Sequence, residues 1–382
     1  MSSNASNMNV IDLFCGVGGF SLGAARAGFN VIGAVDNDAN ALKAHGINFP
    51  GTIHLNIDLS KAEGKDLLRE FKIESKELLC IIGGPPCQGF SAIGKKDDSD
   101  PRNQLFVHFF RLVSEIKPTI FLCENVPGFL ADKHSAIRER AFNYVIDDYV
   151  ILPPMTLDAS LYGAPTSRIR AFFLGYSRDG SMGLEIDKFK PPKDIRKVTV
   201  RKALKGLPRK INPSWQTEQD DWRICRSGPD GAFGDRLQGM IPKGVGDSTA
   251  IKRLREDKKV SGCIGTLHSK EVMRRYGKIV PGAKDNISKA LRLDPKGFCP
   301  TLRAGTGSDH GSFQAVRPIH YSKDRVITPR EAARLQGFPD WYQFDHTKWH
   351  SFKLIGNSVS PILAEHILKV ILDASQTSSK ER

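Results

Sequence analysis

Along the first half of the chain, short apolar runs alternate with segments whose apolar residues recur at helical spacing, and turn residues separate the two. Val10-Ile11-Asp12-Leu13-Phe14 predicts a first strand, and Cys15 to Gly19 a glycine-rich turn. Phe20 to Ala27 predicts a helix, stopped by Gly28. Val31 to Val35, closed by Asp36, predicts a second strand, and Thr52 to Ile57, closed by Asp58, a third. Leu78-Leu79-Cys80-Ile81-Ile82 predicts a buried fourth strand, ended by Gly83-Gly84-Pro85-Pro86 because neither glycine nor proline continues a ladder well. Asn103 to Ile116 reads as a helix, Thr119 to Cys123 as strand five, Ser135 to Tyr149 as a helix and Arg168 to Gly175 as a late strand. This alternation predicts an α/β fold with a doubly wound, mostly parallel sheet.

From about Met182 to Lys323 the rhythm is lost, and glycine, proline and basic residues become frequent. Basic clusters stand at Lys252-Arg253-Leu254-Arg255 and Lys258-Lys259, with Trp215 and Trp222 as aromatic surface. Helical patterning then returns. Thr328-Pro329-Arg330-Glu331 is a capping box with proline at the first helical position, and that helix stops at Gly337-Phe338-Pro339. Ile355 to Val359 reads as a turn before a helix starting at Ser360-Pro361. The largely apolar stripe Ile362, Leu363, His366, Ile367, Val370 and Ile371 of that helix needs a partner surface, most naturally the first domain. The expected division is 1–181, 182–323 as a smaller loop-rich domain, and 324–382 returning to the first.

Composition narrows the class. The 382 residues are 40% hydrophobic and 26% charged, enough for a sizeable core. The net charge of +14, from 56 Lys and Arg against 42 Asp and Glu, favours a polyanionic partner. Seven cysteines with no CxxC pair argue against a disulfide framework or zinc ribbon. His346 and His350 have no evident third ligand and read as surface residues, so no metal is expected. The polar Met1 to Asn9 resembles no signal peptide and no long apolar run is visible, so the expectation is a cytoplasmic protein without a membrane partner.

Candidate chemistry gathers at the strand ends, where open α/β sheets bind ligands. Cys87 follows the Pro-Pro turn like a presented nucleophile, although a small buried hydrophobe is the ordinary fate of a free thiol. Gly16, Gly18 and Gly19, with Asp36 about 20 residues on, suit a nucleoside cofactor whose ribose the carboxylate binds. The full dinucleotide fingerprint is missing, so a cofactor without a pyrophosphate, such as S-adenosylmethionine, fits at least as well. Asp58 would bond an adenine amino group or, with Ser60, cap the next helix. Glu124 closes strand five. Arg168 and Arg170 lie on one face of theirs. Lys95, Lys96 and Arg102 are candidates for phosphate contact.

Taken together and in order, these segments resemble the DNA (cytosine-5)-methyltransferase family. The matching stretches are Asp12 to Phe20, Pro85-Pro86-Cys87-Gln88-Gly89-Phe90-Ser91, Glu124-Asn125-Val126, Arg168-Ile169-Arg170, Arg325 with Thr328 to Pro339, and Gly356-Asn357-Ser358-Val359. The resemblance covers most of 9–176 and 325–372. It implies a Rossmann-like fold using S-adenosyl-L-methionine, with residues 182–323 as the target-recognition domain and duplex DNA as substrate. It implies catalytic roles for Cys87, Glu124, Arg170 and Arg168, and cofactor binding by Phe14, Gly16, Gly18, Gly19, Asp36, Asp58, Pro86, Asn357 and Ser358. For the family's Thr-Leu pair beside the target base, Thr301-Leu302 is preferred over Thr266-Leu267, and Arg292 and Arg303 are candidate guanine readers. Thr166 stands where the family usually has Gln, and Asp36 where it more often has Glu.

The implied chemistry is addition of the Cys87 thiolate to carbon 6 of an extruded cytosine, which makes carbon 5 nucleophilic. Glu124 would serve ring N3, and Cys15 and Cys123 are weaker nucleophile candidates. The resemblance further suggests a monomeric prokaryotic modification enzyme, cytoplasmic and nucleoid-associated, with no stable complex with any cognate restriction endonuclease. Rival readings are a tRNA cytosine-5 methyltransferase of the same fold, a catalytically silent DNA-binding relative, and a nicotinamide oxidoreductase.

Overall fold

The computed structural model describes residues 8–86, 104–179, 182–212, 214–215, 221–303, 317–344 and 347–380. In chain order the elements are β1 (Asn9–Leu13), α1 (Gly19–Ala27), β2 (Asn30–Asp36), α2 (Ala39–Asn48), β3 (Ile53–Asn56), α3 (Gly64–Phe71), β4 (Leu78–Gly83), α4 (Gln104–Ile116), β5 (Ile120–Asn125) and α5 (Ser135–Phe142). Then come β6 (Tyr149–Ile151), β7 (Met155–Asp158), β8 (Thr166–Ser167), β9 (Ile169–Ser177), α6 (Val200–Ala203), β10 (Arg223–Ile224), α7 (Ala232–Gln238), α8 (Ser248–Glu256) and β11 (Lys259–Val260). The chain ends with α9 (Lys270–Gly277), β12 (Cys299–Pro300), α10 (Pro329–Gln336), α11 (Lys348–Asn357) and α12 (Pro361–Lys380).

Among the described residues the main sheet has eight strands. Its order is β3-β2-β1-β4-β5-β9-β6, with β7 also on β9. The first five of that order are parallel, and β9 runs antiparallel to β5 with Phe172 opposite Glu124 and Ala171 opposite Asn125. The start of β9 therefore lies at the carboxyl edge of β5. Side chains alternate between two cores. Val10, Cys80, Ile82, Ile120, Leu122, Phe172 and Leu174 face α1 and α12. Ile11, Leu13, Ile81, Phe121, Cys123 and Phe173 face a phenylalanine-rich layer on α4. By the same parity Asp12, Glu124, Arg168 and Arg170 belong to the α1 face.

The closing contact of the fold is α1 against α12. A Cβ on Gly23 would stand 2.3 Å from the Ala364 Cβ, so the two backbones approach as only glycine permits. Residues 348–377 are apolar enough to resemble a membrane span, yet most of this stretch is buried inside the protein.

Several expected boundaries moved. The helix from Ser135 ends at Phe142: Ile146 is exposed and Tyr149 opens β6, so no apolar stripe continues. Glu124 and Asn125 are still in β5 rather than in the turn after it. Gly356-Asn357 form the last turn of α11 rather than a free turn. The boundary at 182 does not mark a separate core. Met182, Leu184, Phe189, Leu204, Phe233, Leu237 and Val260 join the main one, and a small cluster of Tyr276, Ala290, Ile319 and Val326 stands apart.

Candidate active site

Three strand ends meet at one edge of the sheet. After β1 the chain turns sharply: Phe14 has φ 65° and Gly16 φ 53°. The Gly16 amide donates to Asp36 Oδ2 at 2.8 Å, and the Asp38 amide to Asp36 Oδ1 at 2.9 Å. Burial raises the pKa of Asp36, while these amide bonds oppose the rise. A carboxylate offers about four lone-pair directions, so both oxygens retain acceptor capacity. A Cβ on Gly16 would meet no protein atom within 4 Å, so open space lies over the loop. At Gly19 the opposite holds: a Cβ would stand 1.9 Å from Ser358 Oγ and 2.4 Å from the Val359 carbonyl oxygen. Ser358 thus braces the loop from behind. Asp58 is exposed at the end of β3 and accepts the Ser60 amide at 3.0 Å; the next helix starts only at Gly64, so Asp58 is not its cap. Pro86 is exposed just past β4.

Glu124 and Arg170 form the centre. Arg170 Nε lies 2.6 Å from Glu124 Oε1, with the two side chains 13% and 10% exposed. The guanidinium N–H is not aimed at that oxygen, and Oε1 accepts no aligned hydrogen bond. Glu124 is thus paired in charge but not saturated in hydrogen bonding. A Cβ on Gly84 would stand 3.1 Å from Glu124 Oε2, so the carboxylate faces the turn that leads to Cys87. Arg168 is buried. Its guanidinium reaches the carbonyls of Asn357 at 3.3 Å and Leu302 at 3.5 Å, and burial together with neighbouring Arg170 lowers its pKa well below the usual range. Asn357, on the exposed end of α11, supplies that carbonyl and so braces an arginine.

Cys87 lies outside the described residues, as do Lys95, Lys96, Arg102 and His346. Every described cysteine is buried. Burial pushes the Cys15 thiol well up, with Asp36 and Asp12 adding to the rise, and pushes Cys263 up to about 12. Cys15 and Cys123 are therefore poor nucleophiles.

Thr301 and Leu302 come against the arginine strand: Thr301 Oγ1 donates to the Ser167 carbonyl at 3.0 Å. Leu267 instead stands 62% exposed just before α9. Arg292 does not suit the reading of a guanine edge. It is buried, and its Nη2 donates to Asp324 at 2.5 Å and to the Tyr276 carbonyl at 2.8 Å. Arg303 is exposed. In the basic region Arg223 stacks 4.3 Å over Trp215 and Arg253 4.6 Å over Trp222. A cavity of about 780 Å³ beside Trp215 and Trp222 is lined by Arg209, Lys210, Arg226 and Lys259.

Sequence reasoning missed the support beneath the glycine loop. Ser21 Oγ donates to Asp12 Oδ2 at 2.5 Å, His45 Nε2 lies 3.0 Å from Ser21 Oγ, and His45 Nδ1 lies 2.8 Å from His54 Nε2. Because the serine proton goes to Asp12, His45 donates through Nε2 and accepts at Nδ1. Tyr342 Oη donates to the Val17 carbonyl at 2.5 Å. No spacing in the sequence links Asp12 to His45 or Val17 to Tyr342.

Burial pushes Asp12 from 3.8 up to about 7, against the Ser21 hydrogen bond. The native state thus holds a proton that the unfolded chain has released, and stability is lost as pH climbs from about 4 to about 7. His45 and His54, both lowered by burial, act in the opposite sense below their usual range. Asp12→Asn keeps an acceptor for Ser21 and removes the titrating carboxyl group. The stability of Asp12→Asn relative to wild type is expected to rise by a few kcal/mol between pH 4 and 7, at about 1.4 kcal/mol per unit. Urea unfolding of both proteins across that range checks this; parallel curves would refute it.

The sequence matches the family described as C-5 cytosine-specific DNA methylase over residues 8–373. The chain is similar to the Type II methyltransferase M.XorII of Xanthomonas oryzae pv. oryzae, 36% identical over 95% of this chain and 84% of that protein. It is 32% identical to the Type II methyltransferase M.DdeI of Desulfomicrobium norvegicum, over 95% and 88% of the two chains. Among solved structures, a putative DNA modification methyltransferase encoded within an E. coli prophage superposes with TM-score 0.86 at 51% identity, covering 96% of this chain and 98% of that one. The S. pombe Dnmt2 methyltransferase superposes with TM-score 0.61 at 18% identity over 96% and 98%, a likeness of fold alone.

Proposed function

Because this chain belongs to the C-5 cytosine-specific DNA methylase family, we propose that it methylates carbon 5 of one cytosine within a specific duplex sequence, using Cys87 as nucleophile. The observation that carries this reading is the buried Glu124–Arg170 pair. Its unsaturated carboxylate faces the turn before Cys87, on the edge that also holds the glycine loop.

The loop fits S-adenosylmethionine. Asp36 has acceptor capacity left for ribose hydroxyls, and the space over Gly16 is open. Phe14, Gly18, Gly19, Asp58 and Pro86 would complete that pocket, with Ser358 behind it. The group supplies an electrophilic methyl when bound. Asp36→Ala is expected to weaken S-adenosylmethionine binding roughly 10- to 100-fold, the worth of hydrogen bonds to a charged group. Asp36→Asn should lose less. Equilibrium dialysis checks both, and unchanged affinity would remove Asp36 from the pocket.

The protein's own steps act on the cytosine. The Cys87 thiolate adds to carbon 6 as Glu124, having taken a proton from water, passes it to N3, so the ring becomes a neutral enamine, nucleophilic at carbon 5. Once carbon 5 carries the methyl, water takes the carbon 5 proton as the carbon 6–sulfur bond breaks and the ring double bond re-forms, and N3 returns its proton to Glu124. Arg170 orients Glu124. The base must leave the duplex stack first. Thr301 and Leu302 would stand beside it, and Arg303 with the cationic cavity of the 182–323 region would meet DNA.

The Type II relatives suggest the modification half of a restriction-modification system. We read it as a monomer acting in the cytoplasm on the nucleoid, without a stable endonuclease complex.

The deciding experiment is methyl transfer from labelled S-adenosylmethionine to duplex DNA and to tRNA, with bisulfite sequencing of the product. Label in DNA at one short motif supports the reading. Label in tRNA alone moves the substrate to RNA, and no label with intact cofactor binding leaves a DNA-binding relative.

A further inference from the structure

The segment 165–170 is held from several sides. Thr166 is fully buried, and its hydroxyl donates to the Cys299 carbonyl at 3.1 Å. That carbonyl belongs to β12, whose parallel pairing with β8 is only two residues long: Cys299 opposite Thr166 and Pro300 opposite Ser167. The Cys299 amide donates to the Pro165 carbonyl at 2.9 Å, and Pro300 has no N–H to add. So short a parallel pair is weak in itself. Side chains supply the rest, through Thr166 to Cys299, Thr301 Oγ1 to Ser167 at 3.0 Å and Arg168 to Leu302 at 3.5 Å. On the opposite flank Asp158 accepts the Ser167 hydroxyl and the Arg168 amide, each at 3.1 Å. A slip of one residue in β12 would carry Thr301 and Leu302 about 3.3 Å along the arginine strand.

We propose that Thr166 is a positioning residue for target recognition. Its hydroxyl fixes the register of residues 299–302 against the arginine strand and so sets where Thr301 and Leu302 stand relative to Glu124 and Arg170. This rests on the reading of function above. Thr166 acts through Cys299, not on the base. Threonine at this position, where the resemblance leads one to expect glutamine, is thus part of how this chain fastens its recognition segment.

The test compares wild type, Thr166→Val and Thr166→Ser. Valine keeps the shape but removes the hydroxyl that donates to the Cys299 carbonyl, so the two-residue backbone pairing alone holds the register there. For Thr166→Val, kcat/KM on the cognate duplex should fall roughly tenfold or more, with a smaller fall on sites differing by one base pair, so that discrimination narrows. S-adenosylmethionine affinity should stay within about twofold, and amide exchange across 299–303 should quicken about tenfold. Thr166→Ser should restore wild-type behaviour in each readout. The proposal is overturned if Thr166→Val matches wild type in exchange and discrimination, if serine fails to rescue, or if cofactor affinity falls in parallel. Should wild type transfer no methyl to DNA, the functional reading fails, while the exchange measurement needs no substrate and still decides the register.

Discussion

Replacing Cys87 by serine is expected to abolish methyl transfer to DNA, by about 10⁴-fold or more, while DNA binding persists. A thiol near its ordinary pKa is a few per cent thiolate at neutral pH, whereas an alcohol is essentially never ionised. Every described cysteine is buried, and Cys15, in the glycine loop, is pushed well above the usual thiol range, so none substitutes for the lost nucleophile. A chemical trap sharpens the test. Cytosine bearing fluorine at carbon 5 has no proton there to lose after methylation, so elimination stops and the carbon–sulfur bond persists. Wild type should then give a denaturation-resistant protein–DNA adduct, and Cys87→Ser none. An adduct in the variant, or residual turnover above about a hundredth of wild type, would place the nucleophile elsewhere.

How much of this was legible depends on the distance over which each feature is encoded. The strands β1, β2, β4 and β9 were written locally, as short, largely apolar runs, and each formed within a residue or two of expectation. The capping box at Thr328 is equally local: its hydroxyl accepts the Glu331 amide at 3.2 Å, and Glu331 accepts the Thr328 amide at 2.8 Å. The pairing of Glu124 with Arg170 was legible only in part, because parity put both arginines on one face but nothing local fixed the direction of β9. The antiparallel register that brings Phe172 opposite Glu124 is a property of the whole sheet. The placement of Arg292 could not be read at all. A charged residue in a basic stretch looks like a nucleic-acid contact until Asp324, far along the chain, is folded against it. The same holds for the middle region, whose irregular pattern suggested a separate domain although its apolar residues complete the main core.

The largest expected loss of stability comes from that union. Arg334 and Asp340 are fully buried, and the guanidinium has no donor to spare. Its Nε and Nη2 donate to Asp340 at 2.6 and 2.7 Å, its Nη1 to the carbonyls of Ala203 and Lys205 at 3.1 and 2.7 Å, and its Nη2 also to Cys225 Sγ at 3.0 Å. Asp340 in turn accepts Gln238 Nε2 at 3.3 Å, and its amide donates to the Leu237 carbonyl. The Arg334–Asp340 pair thus ties α6, the strand end at Cys225 and α7 to the returning C-terminal segment. Arg334→Met preserves much of the packed volume but leaves the Asp340 carboxylate buried without its counterion, which should cost about 3–5 kcal/mol in urea unfolding. Adding Asp340→Leu removes that charge and should recover part of the loss. It cannot recover all, because the Ala203 and Lys205 carbonyls remain without donors at about 1–3 kcal/mol each. The ordering wild type, double variant, Arg334→Met is therefore the expected result. A single variant within about 1 kcal/mol of wild type would mean that water or a rearranged side chain replaces the arginine, and the region 182–262 would then be held to the catalytic fold by its apolar contacts instead.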